Sequence, residues 1–97
     1  MGVRHAREYS DILQELTEAV GLIEDCYLFF EMEESEWKAL QPDEQYEVLE
    51  ALADDVFYGL GEHQEITVGN GQVTYRPQLH RIDVFAGDTE HRSISLI

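Results

Sequence analysis

The sequence predicts a two-layer α+β domain. An N-terminal helical hairpin packs on one face of a C-terminal three- to four-stranded antiparallel meander. Three observations lead there. The spacing of apolar residues switches once, near Gly61, from helical steps to alternation. Turns at Asn70-Gly71, Pro77-Gln78 and Gly87-Asp88-Thr89 divide the second half into strand-length segments. The chain has 97 residues, enough for one modest core and one domain. The helical layer is expected over 8–61 and the sheet over 63–97, with residues 1–7 fraying.

The first helix is predicted from about Glu8 or Ser10 to about Met32. Ile12, Leu16, Ala19, Ile23, Cys26 and Phe30 recur at steps of four and three, with Leu13, Val20 and Tyr27 widening the stripe. Leu22 and Phe29 project among the acids on the opposite side, and Leu28 lies off the stripe. A helix apolar nearly all round needs a second cover, so Leu22, Leu28 and Phe29 are expected to mediate self-association, as a homodimer.

Glu33 to Gln41 reads as a connector with a short helical turn capped by Ser35, in which Trp37 anchors the segment to the core. Gln41-Pro42-Asp43-Glu44 is a helix start, with proline at the first helical position and acids in the first turn. The second helix then runs to about Tyr58, burying Tyr46, Leu49, Ala53, Val56, Phe57 and Leu60, with Gly59 or Gly61 as a left-handed cap.

The remainder reads as a meander. A two-residue Asn70-Gly71 turn pairs Val68 with Val73, Thr67 with Thr74, Ile66 with Tyr75 and Glu65 with Arg76. A turn at Pro77-Gln78 leads to a third strand carrying Ile82 and Val84. An odd-length loop, Gly87-Asp88-Thr89, sets Ile94 opposite Ile82 and Leu96 opposite His80. The helices then cover the apolar face. The other face, with Glu65, Thr67, Thr74, Arg76, Arg81, Asp83 and Ser95, is expected to be wet.

Charge is the strongest functional signal. The net charge is −15. Seventeen acids against three bases up to Glu62 leave −14, whereas four against three after it leave −1. So acidic a chain repels nucleic acid and anionic membrane surfaces and selects cationic partners. The longest apolar run, Cys26 to Phe30, is far too short to span a bilayer. A single cysteine and the lack of a basic leader after Met1 suit a cytoplasmic protein.

Within the second helix, Asp43, Glu47, Glu50 and Asp54 fall in a wedge about 60° wide and roughly 16 Å long at ~1.5 Å per residue. They read as the binding strip for a basic protein partner, with the carboxylates standing in for phosphates if the protein is an inhibitor or regulator. A plain solvated face is the alternative. Cys26, on the apolar stripe and next to Asp25, reads as buried filler rather than a thiolate nucleophile.

No catalytic residue is assigned, no cofactor is expected, and no metal site is assigned. Glu62, His63 and His80 near one sheet edge are the residues a metal-binding enzyme or accessory protein would use, with no paired ligand spacing to support it. The reading is thus a non-enzymatic acidic interaction module, with a homodimeric structural subunit as the alternative.

Overall fold

A computed structural model describes residues 3, 5–87 and 90–97. Three helices precede four strands: α1 (Tyr9–Val20), α2 (Glu34–Ala39), α3 (Pro42–Gly59), β1 (Glu65–Val68), β2 (Gly71–Arg76), β3 (Arg81–Ala86) and β4 (Glu90–Ser95). The strands form one antiparallel sheet in chain order. Helices α1 and α3 pack together and cover one sheet face, so the two-layer α+β architecture stands. The core between them holds Ile12, Leu16, Val20, Leu52, Val56, Phe57, Val73, Ile82, Val84 and Ile94, all nearly inaccessible.

The first helix is shorter than its apolar stripe. Helix α1 ends at Val20, a turn follows, and Cys26–Phe30 forms a 3-10 turn. A 25-residue helix would be ~37 Å long, while six-residue strands span only ~20 Å, so its last turns would overhang the sheet. Breaking at Gly21 brings Ile23, Cys26 and Tyr27 back into the core. It also resets the phase: Phe29 packs against the core, and Phe30 is left outside.

Helix α2 is where a turn was expected, but its cap is Glu33, whose N–H donates to Glu36 Oε1 (3.1 Å), not Ser35. Trp37 does anchor it, half-buried and stacked on Tyr27 at 6.0 Å between ring centroids. Helix α3 starts as expected, with Gln41 N–H donating to Glu44 Oε1 (2.9 Å). Its end does not: Leu60, in right-handed geometry, is the C-cap. Gly59 instead admits Ile66, whose Cδ1 would lie 2.8 Å from a Cβ there. Tyr46 is 43% exposed rather than buried.

The β1–β2 register is shifted by two residues from the expected one: Val68 pairs with Gly71, Ile66 with Val73 and Glu65 with Thr74. The turn is Gly69-Asn70. Positive φ is supplied by Gly69 (φ 56°) alone, which suits a turn with glycine at its first central position. Gly71 is needed inside the strand, because a Cβ there would come 2.6 Å from Phe85 O and 2.7 Å from Ile23. The β3–β4 register matches expectation, with Ile82 opposite Ile94 and Leu96 N–H donating to His80 O (2.9 Å). Of the loop behind that register, Asp88 and Thr89 lie outside the described residues.

Residues 1–7 were expected to fray. Met1, Gly2 and Arg4 lie outside the described residues, but the others are held. Val3 is buried, the His5 ring meets Phe57 edge-on at 5.4 Å, and Ala6 N–H donates to Leu96 O (2.8 Å). No helix among the described residues is long and apolar enough to cross a membrane.

Candidate functional site

Helix α3 turns its apolar side to α1 and the sheet, which leaves the acidic wedge beside the α1–α3 seam. Asp43, Glu47 and Glu50 are exposed and Asp54 is half-buried. Asp54 accepts a hydrogen bond from the Tyr9 hydroxyl of α1. Burial and then that bond push the Tyr9 phenol well above its usual range. A shallow depression of about 330 Å³ opens on the seam, lined by Leu13, Glu47, Glu50, Ala51 and Asp54. Among the described residues, no basic side chain pairs with Asp43, Glu47, Glu50 or Asp54.

At 100° per residue, Tyr58 continues the same line of α3. It is 55% exposed, with its ring 6.3 Å from that of Tyr9. The seam therefore offers an apolar floor, three carboxylates around it and an aromatic ring at one end. A lysine or arginine side chain matches this arrangement, with its stem on Leu13 and Ala51 and its charged head among the acids.

The three residues expected to mediate self-association separate. Leu22 (41%) and Leu28 (50%) are exposed, whereas Phe29 is half-buried against the core, its ring edge-on to Phe30 at 5.4 Å. Phe30 takes the outward place. Leu22 also lines a depression between α1 and β4 with Glu15, Glu18, Arg92 and Ile94.

Glu62 and His63 line a depression of about 760 Å³, where the loop after α3 faces the end of β2. His80 is not among its lining residues, and all three side chains are exposed. No three His, Cys, Asp or Glu side chains gather as a metal-binding group among the described residues. Cys26 is buried, and burial pushes its thiol up.

The open sheet face is not uniformly wet. Asp83, at the centre of β3, is 1% exposed. It accepts hydrogen bonds from Arg76 Nε (2.6 Å) and Ser93 Oγ (2.7 Å). Arg81 Nε stands 3.1 Å away and His91 Nε2 3.4 Å away. Burial alone would push the Asp83 carboxyl up. Hydrogen bonds from Ser93, Arg76 and His91, with the charge of Arg81, overcome that and hold it below the usual carboxylate range. Strand parity already places Arg76, Arg81 and Asp83 on one face. The signal in the sequence was two arginines on adjacent strands with a single aspartate close by. Comparison with known protein families, with curated proteins and with solved structures finds no match to the chain.

Proposed function

We propose that the protein is a non-enzymatic interaction module that binds the basic surface of another protein along the α1–α3 seam. The observation that supports this reading is the shallow depression that sets the carboxylates of Glu47, Glu50 and Asp54 beside the apolar Leu13 and Ala51, a combination that suits the stem and head of a cationic side chain. Asp43 extends the strip at one end. Tyr58 at the other supplies an exposed aromatic of the kind that dominates binding hot spots. The −14 carried up to Glu62 would steer a basic partner onto this face. Inhibition or regulation of that partner is the form of activity such a strip would serve, and a buried free thiol suits a cytoplasmic setting.

The test combines affinity capture at low and high salt with binding of a lysine-rich peptide followed by NMR. Binding should centre on Leu13, Ala51 and Tyr58, weaken steeply with salt, and fail in the D43N/E47Q/E50Q/D54N variant. A partner whose affinity and salt dependence are untouched by that variant would reduce the strip to a solvated face.

A second reading, homodimerisation, has its own support. Leu22, Leu28 and Phe30 are exposed apolar side chains close together in sequence, and packing them against a second copy would remove that surface from water.

A further inference from the structure

On the open sheet face, Arg76 and Arg81 are direct cross-strand partners. Like charges placed opposite one another repel, and only one carboxylate, that of Asp83, stands between them. Glu65, on β1 opposite Thr74, pairs with neither arginine. Two guanidinium groups thus share one buried carboxylate, while Glu62 and Glu65 line the adjoining depression beside Arg76 without pairing with it.

The geometry decides what the arginine pair can do. Both arginines turn Nε towards Asp83, so their terminal nitrogens are the groups left over. Those nitrogens make no hydrogen bond to the protein among the described residues, and the side chains are 43% and 40% exposed. The buried Arg81 Nε–H faces Asp83 Oδ1 at 3.1 Å as an ion pair, without the alignment of a full hydrogen bond. Around the pair stand Thr74 and Ser93, with His91 stacked flat on Phe85 at 4.6 Å.

We infer that Arg76 and Arg81, oriented by the buried Asp83, form a binding site for a phosphoryl group on the sheet face opposite the helices. A phosphoryl group offers three acceptor oxygens, enough for two guanidinium forks at once, whereas a carboxylate satisfies one fork. The strong acidity of the chain does not forbid this. The acids of α3 belong to a helical layer ~10 Å thick on the opposite side of the sheet, beyond the Debye length of about 8 Å at physiological salt. Glu15 and Glu18 instead flank the β4 edge near Ser93. Asp83 acts as a positioning residue. It costs attraction by its charge and repays it by fixing both guanidinium groups before a ligand arrives.

Titration with inorganic phosphate at constant ionic strength, followed by NMR, tests the site. The Nε–H signals of Arg76 and Arg81 and the amides of Thr74 and Ser93 should move saturably, while Arg92 stays still and acetate produces no comparable change. Phenyl phosphate in place of inorganic phosphate separates an ester from the free ion, and either binding saturably supports the site. The R76K/R81K variant keeps the charge and loses the forks, so its affinity should fall at least tenfold. The D83N variant discriminates further. Charge alone predicts tighter phosphate binding when the carboxylate is removed, whereas lost orientation predicts weaker binding by several-fold. Non-saturating shifts, equal response to acetate, or unchanged affinity in R76K/R81K would each overturn the proposal, and tighter binding by D83N would remove the positioning role.

Discussion

The Asp25 carboxylate and the Asn70 backbone, 45 positions apart, meet at 2.8 Å, Oδ1 accepting the Asn70 N–H. The segment after α1 thereby holds the first hairpin turn in place. Removing the acceptor by Asp25→Ala should cost about 1 kcal/mol and speed hydrogen exchange at the Asn70 amide. Gly71→Ala should cost more, about 1–3 kcal/mol, because the Phe85 carbonyl that its Cβ meets is backbone and cannot step aside. Chemical denaturation of both variants measures the difference.

Asp83 makes stability sensitive to acid. Its carboxyl is held below the usual range, so the native protein takes up that proton less readily than the unfolded chain. The stabilisation is fully present above the unfolded aspartate value of about 3.9 and is lost as pH falls through the lower folded value. Asp83→Asn should destabilise by about 2–3 kcal/mol at neutral pH. Denaturation curves at pH 7 and pH 3 should show the gap between wild type and variant shrinking on acidification.

The Tyr9 hydroxyl ties α1 to the middle of α3 through Asp54. Tyr9→Phe keeps the ring packing on Phe57 at 5.0 Å and removes only that bond. A loss of about 0.5–1.5 kcal/mol is expected, read from thermal unfolding. The Asp54 carboxylate, freed from the phenol, should also bind a cationic peptide at the seam at least as well as before.

Exposed apolar residues near the end of α1 make the oligomeric state measurable. Light scattering should give a dimer for the wild type at high concentration and a monomer for Leu22→Glu/Leu28→Glu. A wild type that stays monomeric would leave these side chains as isolated surface apolar residues.

The β3–β4 register could be read from the sequence because side-chain parity admits one odd-length loop that turns Ile94 inward. Parity could not separate the two registers of the first hairpin. A shift of two residues returns every side chain to the same face, and the deciding groups, Asp25 and Ile23, sit on a distant segment. The end of α1 was hidden for a related reason. Its apolar stripe runs on to Phe30 with helical spacing, and only the length of the sheet limits how much helix can be covered. For the seam, the stripe on α3 was legible as a periodic pattern, but its floor at Leu13 and its bond to Tyr9 belong to another helix. Asp83 was placed on the correct face and misjudged as wet, since alternation specifies direction and not how neighbouring side chains fold over a small carboxylate.

The bond from Ala6 N–H to Leu96 O has a consequence for synthesis. Every strand pairing is between neighbours in the chain, so the sheet can assemble locally as it emerges. The N-terminal segment finds Phe57 once α3 is made, but its backbone partner Leu96 comes only at the end of β4. At about 5–20 residues per second, the sheet side of α1 waits on the order of 5–20 s before β4 covers it. The acids interleaved with Ile12 and Leu16 would then guard the nascent chain against premature association.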